Sequence, residues 1–421
     1  MIKMVALVFS NIYKGSSMKR PHLLLYCAAF IMLFAGTVVV AQNLTCPELV
    51  QRAFSELGNT CAGQSRNSAC YGYNQVSASF SQTVPATFFT KPADLAGLNM
   101  VSTIQTAPLD EAAGTWGIVT MNVQANLPAA LPGQGTVYIL LGDIKLDNAV
   151  PPDEALVLPE NPLNVTTKAK TDLHVDPRNN ADVVGTVAAG ATLQADGTSA
   201  NGNWLRVYYL ADRKASAWVK LSDVDASGDV SSLPVITPTS QTPMQAFQFS
   251  TNVTGTTCED APSALVVQGP EHLQVDINAN GADIRVGSTI ALQRDDENHM
   301  VATVLSGGVT LNPNSNAPIT MLPGYYAICD LTTIQNGNCD WTLPQPYTEA
   351  IQIMVDALRQ LFDLAPNIFN YVASPPTVVC GSGVGQVICE FSFDNPNVDL
   401  NLAQEICQGP DAPDACSTLF P

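Results

Sequence analysis

Short strand words separated by tight turns constrain this chain most, and residues 168–225 show them in purest form. Leu173–Val175, Val183–Gly190, Asn201–Tyr209 and Ala217–Val224 are each too short for a helix of normal length. Gly185, Gly190 and Gly202 punctuate them. Such spacing leaves no room for crossover helices, so it predicts a small antiparallel barrel rather than a βαβ unit. Within Trp204–Tyr209 the strand period puts Trp204, Arg206 and Tyr208 on one side and Leu205, Val207 and Tyr209 on the other. One side must be core. The other, with Trp218, is the candidate ligand face.

Residues 23–41 are an unbroken apolar run preceded by Lys19 and Arg20, with Val39 and Ala41 as small residues before Gln42. This is the pattern of a secretory signal, with Met18 as a candidate start. A retained membrane anchor is the alternative reading of the same run. Removing residues 1–41 removes four of the 18 Lys and Arg and none of the 37 Asp and Glu. The net charge then moves from −19 to about −23. A polyanion is a poor partner for such a chain, which argues against nucleic acid. Ten cysteines follow the leader: Cys46, Cys61, Cys70, Cys258, Cys329, Cys339, Cys380, Cys389, Cys407 and Cys416. An even count on an exported chain reads as disulfides. Three of them precede residue 71, so full pairing sends at least one outside that group, and Cys258 is the nearest. Cys389 is the short-range candidate for Cys380.

Residues 46–57 carry apolar positions at helical spacing, and Gly58 stops the run. From Ser77 the pattern is β, through MVSTIQTA, GTWGIVTMNVQANL and GTVYILLGDIKL, with Trp116 as a core residue. A second β region runs from Ala246 to about Leu331, and a helix is predicted within 345–369. The expected organisation is a signal segment (1–41), a disulfide-bearing helix plus β domain (42–150) and a linker (151–167). The barrel (168–225), a Ser/Thr/Pro/Gly linker (226–244), a β domain (245–344) and a helix with a disulfide-stapled lobe (345–421) follow. The fold class is mainly β and multidomain: a small barrel plus antiparallel sandwich or roll regions, with short N- and C-terminal helices.

The barrel words resemble those of the bacterial SH3-like (SH3b) family. Leu173–Asp176, Val184–Gly190, Trp204–Val207 and Ala217–Val219 occupy the places of that family's LNVR, VIGTLKKG, WYKV and GWV words. Asp176 stands for the usual Arg and Ala217 for the usual Gly. The resemblance implies noncatalytic binding, often to peptidoglycan or other wall material. Asn280–Gln293, Ala302–Leu311 and Leu322–Leu331 resemble FecR-like domains of envelope proteins, which implies a structural or sensing role outside the cytoplasm. The CPELV…ACYGYN unit is similar to that of exported proteins of filamentous environmental bacteria.

Chemistry has few footholds. Asp276, Asn278, Asn280 and Asp283 imitate half of a calcium loop, but position twelve is Gly287 and Asn280-Gly281 is a hairpin turn signal. Asp295–Glu297 reads as a turn. Gly381-Ser382-Gly383 lacks the setting of a nucleophile elbow. The histidines beyond the leader (His174, His272, His299) sit near no cysteine pair. No catalytic residue and no cofactor is expected. The leading expectation is a noncatalytic, secreted or envelope-attached binding protein that recognises cell-wall or surface polysaccharide, peptidoglycan or an envelope protein through Trp204, Arg206, Tyr208 and Trp218. Membrane contact is expected only if the signal segment is retained. The alternatives are a surface-layer or sheath component with the barrel as spacer, and an extracellular hydrolase with a hidden carboxylate pair. The position of that face separates them: an open groove favours binding, burial favours the spacer, and a cleft with two close carboxylates favours the enzyme.

Overall fold

The computed structural model describes residues 45–131, 135–211, 213–251, 258, 261–270, 273–294, 298–366, 368, 377–383 and 386–392. The first part of the chain gives helix α1 (Cys46–Thr60) and strands β1 (Ser68–Tyr73), β2 (Val76–Phe80), β3 (Leu95–Gly97), β4 (Val101–Thr106), β5 (Ile118–Val123), β6 (Thr136–Leu141) and β7 (Ile144–Asn148). The middle gives β8 (Leu163–Thr167), β9 (Thr171–His174), β10 (Val183–Val187), β11 (Thr192–Thr198), β12 (Trp204–Ala211), β13 (Lys214–Lys220) and β14 (Val224–Ala226). The return gives β15 (Ala246–Thr251), β16 (Ala264–Gln268), β17 (Val275–Ala279), β18 (Ala282–Val286), β19 (Thr289–Arg294) and β20 (His299–Ser306). It continues with β21 (Val309–Leu311), β22 (Ile319–Met321), β23 (Tyr325–Gln335), β24 (Asn338–Trp341), β25 (Gln345–Pro346) and helix α2 (Glu349–Leu364). A hairpin of β26 (Thr377–Gly383) and β27 (Gln386–Ser392) follows. The protein is mainly β, with antiparallel sheets and, among the described residues, these two α-helices.

The two ends of the chain build one sandwich. A ten-stranded sheet runs β24-β23-β20-β19-β16-β6-β5-β1-β3 with β25 beside β23, and an eight-stranded sheet runs β2-β4-β7-β15-β17-β18-β21-β22. Both mix strands from before and after the barrel: β6 pairs with β16 (Ile139 opposite Val266) and β7 with β15 (Asn148 opposite Phe247). The expected separation of 42–150 from 245–344 is therefore corrected; they are halves of one sandwich. Neither half of the central sheet can bury its ladder edge without the other, because β6 and β16 are each other's neighbours. The inner faces of both sheets, with Ile104, Leu140, Phe247, Leu265 and Ile284, form the main core. The outer face of the ten-stranded sheet, with Ile118, Ile139 and Val266, is covered by both helices. That double cover is why Ala264–Gln268 is buried at every position instead of alternating.

The helices form for local reasons. Glu48 Oε2 accepts from the Thr45 backbone N–H and hydroxyl at 2.9 Å each, a cap at the start of α1. Leu49, Val50, Ala53, Phe54 and Leu57 then share the buried stripe. Thr348 caps α2 by accepting from the Ile351 N–H. Its buried stripe of Met354, Val355, Leu358 and Leu361 joins the core under α1, so α2 belongs to the sandwich and not to a separate C-terminal lobe.

The barrel is an insertion. The chain leaves the sandwich after β7 and returns in its neighbour β15, so the two connections start and end side by side. The seven-stranded order is β10-β9-β13-β12-β11-β8-β14. Residues 163–167, expected in the linker, are strand β8, which pairs with both β11 and β14. The second connection, expected as a free linker over 226–244, is tied down. Ile236 N–H donates to Thr198 O at 2.7 Å, Leu156 N–H to Gln241 O at 2.8 Å, and Thr242 and Met244 are fully buried. Among the described residues no helix is long and apolar enough to cross a membrane. The signal segment, the 295–297 turn, His272, Cys407 and Cys416 lie outside the described residues.

Candidate functional site at the barrel–sandwich junction

The strand alternation places side chains as expected. Leu205 and Val207 are buried in the barrel core with Tyr209 packed against it. Trp204, Arg206 and Tyr208 lie on the opposite face, and that face is not open. Trp204 is 4% exposed, Arg206 6% and Trp218 8%. Trp204 and Trp218 form a cluster with Leu158 and Ile236, residues of the two connections, separate from the barrel core. Tyr208 packs against the core of the sandwich. The ligand face expected from sequence is thus a docking face within the molecule. The physical reason is that alternation sets which side of a sheet a residue occupies but not what covers that side.

Polar contacts fix the docking. Arg206 donates Nε to Asp196 Oδ1 at 2.8 Å and Nη2 to Asp196 Oδ2 at 2.7 Å, a two-pronged pair with both side chains buried. Ala129 N–H, from the sandwich, donates to the same Asp196 Oδ2 at 3.2 Å. Nearby, Arg66 donates to the carbonyls of Pro128 and Leu131, holding the loop that carries Ala129. Burial pulls the Arg66 guanidinium below the usual arginine range, with the Asp196 charge opposing. Gln274 N–H donates to Arg213 O at 3.1 Å, a second seam contact. The Trp204 ring meets the His174 ring edge-on at 5.2 Å and the Lys220 ammonium at 5.6 Å. His174 is held by the Ala181 carbonyl at 3.1 Å.

Beside this seam the two bodies and the returning connection enclose a cleft of about 440 Å³. Arg206 lines it from the barrel, Thr237–Gln241 from the connection, and Asp276, Asp283 and Asn314 from the sandwich. Two residues of the expected calcium loop, Asp276 and Asp283, therefore line a cleft, and all four candidates are held by partners within the protein. Asp276 takes Arg285 Nε at 2.6 Å and Nη2 at 3.1 Å. Asn278 Nδ2 donates to Asp283 Oδ1 at 2.7 Å. Asn280 accepts from Phe249 N–H at 2.7 Å and sits at the turn with φ 51°, followed by Gly281 at 89°. These are the positive angles of the Asn-Gly hairpin turn. Asp276 and Asn280 are thereby committed to contacts within the fold. Sequence reasoning missed Asp196, Arg66, Gln241 and Asn314. Asp196, Arg66 and Asn314 act through partners far along the chain, Gln241 enters only as a wall of the cleft, and no local pattern marks any of them.

Among the described residues three cysteine pairs are bridged: Cys46–Cys258, Cys61–Cys70 and Cys329–Cys339, with Cα separations of 6.0, 5.8 and 5.9 Å. Cys258 is indeed the partner outside the N-terminal group. The backbone register of β26 and β27 sets Cys380 opposite Cys389.

No protein family matches the chain, and no curated protein matches it. Two crystal structures, each of a candidate anti-sigma factor from Parabacteroides distasonis, align with it at 10% and 9% identity. Their TM-scores are 0.20 and 0.22. The first alignment covers 54% of this chain and 60% of the other; the second covers 68% and 90%.

Proposed function

We propose that this chain is an exported, noncatalytic envelope protein in which an SH3-like barrel serves as a docked structural insertion in a FecR-like sandwich. The observation that carries this reading is the burial of Trp204, Arg206 and Trp218 against the sandwich and its connections. A free binding head needs its aromatic and cationic side chains open to ligand; here they hold two bodies together. The bridged cysteine pairs support an oxidising compartment. Recognition of a wall polymer, a surface polysaccharide or an envelope protein then falls to surfaces that docking leaves open.

The test uses the full chain without residues 1–41, incubated with purified wall material and with the envelope fraction of the source cells. Retention of wild type and of Tyr208→Ala to the same extent is the expected result. Loss of retention in Tyr208→Ala, with an unchanged melting temperature, would return the barrel face to the role of ligand site and defeat the spacer reading.

A further inference from the structure

We infer that the junction cleft binds a small, uncharged polyhydroxylated ligand of one or two sugar rings. This goes beyond a structural role for the barrel and rests on the docked arrangement proposed above. At about 440 Å³ the cleft falls within the range of small-ligand sites, and it lies where two bodies meet, a favoured place for them. Its walls come from the sandwich, both connections and, through Arg206, the barrel, so its full lining needs the barrel docked.

The chemistry of the lining selects the ligand class. Charges in the wall are mostly cancelled before any ligand arrives. Arg206 is paired with Asp196, and Asp276 with Arg285. Asp283 has no cation partner among the described residues: Oδ1 accepts from Asn278, and Oδ2 has only the Asn314 amide at 3.5 Å. That leaves a carboxylate oxygen with acceptor capacity, suited to a hydroxyl pair. The side-chain amide of Gln241 has no hydrogen bond within the described protein, so it brings both donors and an acceptor. Arg206 has spent Nε and Nη2 on Asp196, which leaves Nη1 as a further donor on this wall. Between these groups stand Ile236, Pro238 and Pro313, apolar patches that match the C–H faces of a sugar ring. An anion is disfavoured twice, by the uncompensated Asp283 and by the net charge of −19. A hydrocarbon ligand would strip water from amide and carboxylate groups with nothing in return.

The experiment is saturation-transfer NMR on the full chain without residues 1–41, using glucose, cellobiose and N-acetylglucosamine as probes and glucuronate as the anionic counter-probe. At least one neutral sugar should receive saturation, and glucuronate should receive much less than glucose. Asp283→Asn should weaken binding roughly tenfold, because it removes the charged acceptor but keeps the shape. Gln241→Ala, on the connection, is the second variant and should weaken binding several-fold without touching the sheet. Asp147→Asn, on β7 and outside the cleft, should bind as wild type. Melting curves confirm that each variant is folded. No transfer to any of the three sugars, equal affinity in both cleft variants and wild type, or glucuronate binding as well as glucose would each overturn the inference.

Discussion

Replacing both members of one disulfide by serine offers the most direct measurement of how this topology is held. Cys46–Cys258 spans 212 residues and encloses the whole barrel, whereas Cys61–Cys70 spans 9. A cross-link restricts the unfolded chain, and the restriction grows with the logarithm of the loop. The loop-entropy relation gives about 5 kcal/mol for the long bridge and about 2.6 kcal/mol for the short one at room temperature. The long bridge also ties the first residue of α1 to the second half of the sandwich, where Cys258 and Leu49 join the core under both helices. Cys46→Ser/Cys258→Ser should therefore lose roughly twice the stability lost by Cys61→Ser/Cys70→Ser. Urea unfolding followed by tryptophan emission reads both, with the slope compared between variants because the unfolded state is itself less compact without the bridge. Equal losses, or a larger loss from the short bridge, would show that the long connection does not restrain the unfolded chain as argued.

Three further outcomes are expected. Arg206→Met leaves Asp196, 1% exposed, without its cation and should lose about 3–5 kcal/mol in denaturant unfolding, while Arg206→Met/Asp196→Leu should recover most of that loss. Tyr138 is fully buried, its hydroxyl has no hydrogen bond among the described residues, and burial raises its pKa and that of Tyr347. Unfolded tyrosines release protons near pH 10 while the folded ones retain them, so melting temperature should hold steady up to about pH 10 and fall above it. Tyr138→Phe should flatten that alkaline fall and be neutral or stabilising by about 1 kcal/mol at pH 7. Gly281→Val puts a β-branched residue at φ 89° and a Cβ 3.3 Å from the Ile334 side chain, and should cost about 1–2 kcal/mol by thermal melting.

Much of the local structure was legible in the sequence. The stripe of Leu49, Val50, Ala53, Phe54 and Leu57 marked α1, and the word GTVYILLGDIKL marked β6 and β7. Asn280-Gly281 marked the β17–β18 turn, and the division of Leu205 and Val207 from Trp204 and Arg206 marked the two faces of β12. The candidate site was half legible. Trp204 and Arg206 share a face of β12 as the strand period requires, but with Trp218 they are buried within the molecule, where a ligand surface was expected. The cleft beside them was not legible, because Arg206, Gln241 and Asp283 belong to no common motif.

The sequence by itself determined which segments are strands, which are helices, where the chain turns and which side chains share a face, since all of these follow from periods of two and 3.6 residues and from the backbone angles of single residues. Only the tertiary structure decided that β6 lies beside β16 and β7 beside β15, making one sandwich of two distant stretches. It also decided that the aromatic face of the inserted barrel is spent on holding that insertion in place. Strand partnership and face coverage are set by burial and hydrogen bonding summed across distant segments, and no local window of sequence contains those terms.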